Sequence, residues 1–414
     1  MTDQEHPRNA DADGSRQTTG SGGPRPGRTT AVLGLVPAPE LPADIANQFA
    51  RQLPELLANY VDDRRDWKVE VVESPLVGAV EDTARIIEQT EEYKQRHGWD
   101  YAVCITDLVI CEGKDFVVAE ASMANAVALI SLPSFGSMGL RRRLQEAILQ
   151  LANELRHGSS DADRERQAQQ TRKSLKVDES LRGEGARRLT GERFFEQLFP
   201  IKRITPDKNE KTPVDVRFIT RFGGNFRVLA GMVHANGPWT VFPAFKSIIA
   251  VAFATGAYGL IFPTLWKLSD AYQGPRFILL MVASMVAMVA WIIIAHRLWE
   301  PVRKANAPRM AKLYNTATVL TLSVAVVVYY ACLLGLFILA VSIIVPSTLL
   351  EQQLGHPIGP SNYIVLAWLA TSVATIAGAI GAGLEDEDTV RNATYGYRQR
   401  QRIQAVDEAT ESDD

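Results

Sequence analysis

Four long apolar stretches lie in the C-terminal part of the chain, at residues 247–266, 277–295, 316–346 and 363–384. Each is near or above the ~20 residues that an α-helix needs to cross a ~30 Å hydrocarbon core. None contains Asp, Glu, Lys, Arg or His, and Lys246 stands just outside the first, where its ammonium can reach the headgroups. A charge at mid-bilayer is costly, so four uncharged runs of this length predict a multi-pass membrane protein. The mean hydropathy of −0.04 averages a polar half with an apolar half and hides this organisation.

The distribution of basic residues predicts orientation. The segment 296–315 carries Arg297, Arg303, Lys304, Arg309 and Lys312 against the single acid Glu300. The segment 347–362 carries only Glu351 as a formally charged residue, and 267–276 has Lys267 and Arg276 around Asp270. Arg217, Arg221, Arg227 and Lys246 precede the first stretch. Positive charge therefore alternates with the crossings, which by the positive-inside rule puts both termini in the cytoplasm of a cell membrane crossed four times. The third stretch is longer than one perpendicular crossing requires, so it must tilt or protrude, and Pro346 marks its end as a helix stop.

Within lipid, helices associate through close packing of small residues. Ala370, Ala374, Gly378 and Ala382 recur at four-residue spacing in the last stretch, and Ala252 and Gly256 do so in the first. They are candidate contact faces, either inside the chain or between copies of a homo-oligomer. Ion and proton paths need polar or ionisable groups at depth. The spans offer mainly Ser284, Ser323, Tyr329, Tyr330 and Thr371, so transport is the weakest of the functional readings.

The N-terminal half alternates in an α/β manner. Residues 31–36, 68–72, 101–110, 116–119 and 126–132 read as strands, and 42–60, 80–96 and 140–155 as amphipathic helices. Pro54 is expected to kink the first of these helices. A sheet covered by helices is the economical arrangement. Residues 1–29 have no apolar run and read as a disordered leader without a signal peptide, which leaves the α/β domain in the cytosol. The further divisions are an α/β domain at 30–157, a polar linker at 158–189, a juxtamembrane subdomain at 190–242, the four spans at 243–384 and a charged tail at 385–414. In the juxtamembrane segment, 202–205 can pair as a hairpin with 214–220. Arg227, Trp239, Lys246, Arg303 and Lys304 are candidate lipid-interface residues, with the alternative that the segment is a small packed unit touching no lipid.

The net charge of −3 and the lack of a one-signed domain give no nucleic-acid partner. Cys104, Cys111 and Cys332 show no CxxC spacing and read as reduced thiols that bind no metal. Asp107, Glu112 and Glu120 are the candidate catalytic residues, because a carboxylate cluster at one sheet edge could bind a cation or work as acid and base. Against this, an Asp at a strand end is commonly a turn or cap residue.

Two resemblances rest on short motifs. The strand YAVCITDL with Thr106 and Asp107, the segment FVVAEAS, the strand ALISLPSFG and a helix that opens with Arg141–Arg143 and reads EAILQLANEL resemble the archaemetzincin branch of zinc peptidases over residues 32–157. In that family the helix carries HExxH, whose histidines bind zinc while the Glu activates water. The matching positions here are Leu149, Gln150, Leu151, Ala152 and Asn153, so the resemblance implies the fold without its zinc chemistry. The whole layout, with Gly231, Met232, Val233, Ala235, Asn236, Pro238 and Trp239 before the spans, resembles a group of actinobacterial four-span membrane proteins of unestablished function. Some of these are called methylenetetrahydrofolate dehydrogenase-like, which would imply NADP and a folate site. No GxGxxG follows a strand here, and the Gly223–Gly224 pair is a turn signal.

The expectation is thus an α/β soluble domain plus an all-α four-helix transmembrane bundle. Its leading function is interaction or sensing, without catalysis or a cofactor, towards a protein partner or small ligand. The alternatives are a membrane-associated enzyme using the carboxylates or a folate/NADP site and, behind it, a transporter.

Overall fold

Apolar runs that are buried on both faces make central strands. β1 (Thr29–Pro37), β3 (Tyr101–Thr106) and β6 (Val127–Ser131) are of this kind, and every position of β3 and β6 is buried. The computed structural model describes residues 29–75, 83–113, 115–158, 201–205, 214–220, 224–237, 245–299 and 308–382. The expected leader except Thr29, most of the polar linker, Trp239, Arg303, Lys304 and the charged tail lie outside these residues, as does the side chain of Ala382.

The remaining strands are β2 (Arg65–Val71), β4 (Ile110–Glu112), β5 (Asp115–Ser122), β7 (Ile201–Ile204) and β8 (Val216–Thr220). They complete an eight-stranded sheet in the order β2-β1-β3-β6-β5-β8-β7, with β4 paired to β5. β2, β1, β3 and β6 run parallel, and the rest of the sheet is antiparallel. The run at 101–110 is therefore not one strand. The Thr106 hydroxyl accepts the Leu108 amide at 3.1 Å and closes a turn between β3 and β4. The expected hairpin at 202–205 and 214–220 forms as β7 and β8, and β8 also pairs with β5. Two strands from the segment 190–242 are thus part of this same sheet.

Helices cover both faces. α1 (Leu41–Phe49), α2 (Leu53–Tyr60) and α4 (Leu140–His157) close one core with Leu33, Leu35, Val103 and Ile130. α3 (Thr83–His97) closes the other with Cys104, Leu129 and Ile219. Residues 42–60 form two helices rather than one kinked helix. Pro42 and Pro54 each sit in a first turn, where the missing N–H removes no intrahelical bond.

The chain then enters the apolar region through α5 (Gly224–Ala235), which lies against the tight turn Leu132–Phe135. Among the described residues three helices are long and apolar enough to cross a membrane: Gly274–Ala295, Arg309–Ile344 and Pro360–Ile380. They belong to α8 (Gly274–Ala295), α9 (Pro308–Ile344) and α11 (Pro360–Ala382). The first apolar stretch is not a single straight span. It divides into α6 (Phe245–Gly259) and α7 (Pro263–Ala271), bent by 91° at the break before Pro263, so a fourth crossing exists only if this pair counts as one. A proline ring cannot occupy a helix interior without losing a hydrogen bond, and Pro263 instead opens the second helix. The third stretch is part of a 37-residue helix, about 55 Å long at 1.5 Å per residue. It ends before Pro346, which caps α10 (Ser347–Leu354).

α7 and α10 pack together at the end of the bundle remote from α5, around Trp266 and Leu350. There His356 Nε2 lies 3.0 Å from Asp270 Oδ1. The Pro357 carbonyl and then the Asp270 carboxylate raise the His356 pKa above its ordinary value of 6.5. The protonated pair is therefore complete below that ordinary value and is lost as pH rises through the raised one. Glu351 of α10 accepts the Ile358 amide and is the other formally charged group of the segment 347–362. Amide exchange in α10, corrected for intrinsic rates, should increase as pH passes from 6 to above the raised His356 value, and His356→Gln should abolish the step.

Candidate functional site

The β4–β5 end of the sheet and the apolar helices meet at one junction, and the sequence-predicted residues fall in and around it. Glu120 on β5 stands cross-strand from Arg217 on β8. Arg217 Nε donates to Glu120 Oε1, and Arg217 Nη1 contacts Glu112 Oε2 on β4. Glu120 is fully buried and Arg217 nearly so, which demands partners for both charges. The structure thus brings Glu112 and Glu120 together through a guanidinium. Asp107 is buried at the C-terminal end of β3, in the turn that Thr106 closes. A carboxylate committed to a buried ion pair is already occupied as an acceptor, which ill suits it to take a substrate proton. Burial raises the Cys104 thiol far above its ordinary range and leaves it a poor nucleophile. Among the described residues no group of three or more His, Cys, Asp or Glu could hold a metal ion.

Next to this cluster the first turns of α9 dock on the soluble domain. Met310, Leu313, Tyr314 and Ala317 pack with Leu108, Val109 and Phe116 of the sheet edge and with Val228 and Met232 of α5. The Arg309 guanidinium sits 5.0 Å from the centre of the Phe116 ring, a cation–π placement. Its two Nη atoms reach the Gly113 carbonyl at 3.3 Å and Asn225 Oδ1 at 3.4 Å. Met310 Sδ lies 3.3 Å from Cys111 Sγ, and Asn236 Nδ2 donates to Thr321 Oγ1 at 3.0 Å. Sequence reasoning missed this seat because Arg309 read only as loop charge. The signal was present: 310, 313, 314 and 317 have the spacing of an amphipathic helix face, just after a helix-initiating proline.

α5 is the wedge between the sheet and α9. At Gly231 a Cβ would fall 2.1 Å from the Pro133 carbonyl oxygen, so only glycine allows the helix this close to the turn. Arg227, a lipid-interface candidate from the sequence, is buried with its side chain against Gly136. Burial first, and the charge of Arg143 second, lower its pKa to about 10. Arg143 Nη1 donates to the Phe135 carbonyl at 2.7 Å. Lys246 is exposed at the start of α6.

The small residues of the spans meet inside the chain. At Gly256 a Cβ would lie 2.3 Å from Phe337 Cζ and 2.8 Å from Ala374 Cβ. At Gly378 it would lie 2.6 Å from Tyr329 Oη and 3.0 Å from Ala252 Cβ. Ala252, Ala370 and Ala374 are buried in the same cluster. Hydroxyls in the last span mostly bond to their own helix, as Thr371 does to the Ala367 carbonyl and Thr375 to the Thr371 carbonyl. Between helices, Tyr330 Oη and Ser372 Oγ are 2.8 Å apart.

An α/β domain seated on a bundle of membrane-length apolar helices is what the fold and its junction define. No family model, no curated protein and no solved structure matches the chain.

Proposed function

We propose that the chain is a multi-pass protein of the cell membrane with four crossings and both termini in the cytoplasm. Its α/β domain acts there as an interaction or sensing module for a protein partner or small ligand, without catalysis. The observation that carries this reading is the seat of α9. One unbroken helix runs from the apolar bundle to the β4–β5 edge, beside carboxylates that are already held by Arg217. A site built for chemistry would present such groups to a substrate, whereas a rigid helix against a sheet edge suits the transfer of a positional change.

Orientation is supported by Lys246, Arg309 and Lys312 at the bundle end that carries the α/β domain. The opposite end, with α7 and α10, presents the pair His356 and Asp270. The test is thiol labelling of cysteines placed singly at His356 and in the leader, with the native cysteines replaced by serine or alanine. An impermeant reagent should label position 356 in intact cells and the leader only after lysis; the reverse pattern overturns the orientation. A thermal-shift screen of the purified chain with NADP, a reduced folate and zinc tests the absence of catalysis. A large shift with any of them contradicts it.

A further inference from the structure

We propose that the end of α8 forms a binding site for an anionic phospholipid, with the phosphate on Arg297 and an acyl chain along Ala290, Ile293 and Ile294. This rests on the membrane reading above and goes beyond it by naming a ligand class and its residues.

The first observation is shape. An open hollow of about 490 Å³, lined by Ala290, Ile293, Ile294, Arg297 and Trp299, lies on the outer surface of this helix end, within the ~300–1,000 Å³ of small-molecule sites. Its lining is aliphatic except for one guanidinium and one indole. Ile294 is 71% exposed and Trp299 57%, so these groups face outward, towards lipid in a bilayer. The site lies where the apolar helix Gly274–Ala295 ends, the depth at which headgroups begin. Hydrocarbon below and phosphate above is the order in which a phospholipid presents itself.

The second observation is backbone geometry. Arg297 has φ 52°, in the left-handed region. It follows the last helical turn, where the His296 amide bonds the Ile292 carbonyl at 3.1 Å and the Leu298 amide bonds the Ile293 carbonyl at 3.0 Å. This is the helix-ending position at which glycine is preferred, because a Cβ there is disfavoured. The turn itself sets this conformation, and an arginine rather than a glycine there places a guanidinium just past the helix end. Arg297 is exposed while its neighbours His296 and Leu298 are buried. A planar guanidinium suits bidentate contact with a phosphate, and juxtamembrane cations favour anionic leaflets.

The experiment uses the full chain in mild detergent, titrated with phosphatidylglycerol or phosphatidylcholine, with the melting midpoint as readout. Phosphatidylglycerol should raise the midpoint saturably by several degrees and phosphatidylcholine should not. Arg297→Gln and Arg297→Gly should both lose that rise. Arg297→Gly should also melt at or above the wild type without lipid, since glycine relieves the left-handed backbone. Arg276→Gln, at the other end of α8, should keep the rise. Equal shifts with both lipids, or an undiminished rise in both Arg297 variants, overturns the site. The membrane reading fails separately: a chain released from membranes by alkaline carbonate without detergent would refute it before any lipid is added.

Discussion

Replacing Arg217 by Met will lower the unfolding free energy of the full chain by about 3–5 kcal/mol, the usual cost of stripping a partner from a buried charge. Arg217 holds two carboxylates of unequal freedom. The Glu112 side chain is 40% exposed and can turn to water, whereas the Glu120 side chain is fully buried. The methionine leaves the Glu120 carboxylate without the guanidinium that faces it across the strands. The pair also joins β5 to β8, so the defect falls where the sheet receives its last two strands. Denaturant unfolding in detergent, followed by the fluorescence of Trp67 and Trp99, measures the loss. The double variant Arg217→Leu with Glu120→Leu should recover most of it, because removing both charges removes the need for pairing. A single variant as stable as the wild type would show that the ion pair holds nothing together.

Gly231→Ala is expected to cost at least about 1–3 kcal/mol, at or above the usual range for inserting a methyl into a packed site. The added carbon would lie 2.1 Å from the oxygen, 2.8 Å from the carbonyl carbon and 2.9 Å from the Cα of Pro133. All three are backbone atoms, and no side-chain rotation relieves them. α5 must therefore move away from the turn Leu132–Phe135 and draw Val228 and Met232 off the first turns of α9. Amide exchange should quicken in α5 and in residues 308–318 while the α6–α11 contact keeps its protection. Loosening confined to the turn would mean that α5 does not couple sheet to bundle.

What the sequence disclosed follows from the physics of each part. Lipid imposes a length and a lack of charge, so 277–295 and 363–384 stand out with no knowledge of their neighbours. The bend at 260–262 was less visible, because lipid-compatible residues continue across it. Only Gly259 and Pro263 marked it. Strands β1, β3 and β6 were legible as apolar runs, but β5 reads as ending before Glu120. That residue is strand-like and buried only because Arg217, distant in sequence, faces it. No local pattern can report a cross-strand charge pair of this kind. Arg217 and Arg227 were both counted among the positive charges before the first span, and the fold places both inside. The docking face of α9 was hidden for another reason: Met310, Leu313 and Tyr314 are interleaved with Arg309 and Lys312, so 296–315 read as a basic loop.

The measurement that bears most directly on the joined architecture is a cross-link between Cys111 and a cysteine replacing Met310, with Cys104 and Cys332 changed to Ala and Ser. The wild-type sulfurs are 3.3 Å apart. A protease site inserted within residues 158–189 would separate the two halves after oxidation in native membranes. If the α/β sheet is seated on α9, the halves will migrate together on a non-reducing gel and apart after reduction. Halves that separate before reduction, in membranes where a short bis-maleimide also fails to link them, would contradict the seat.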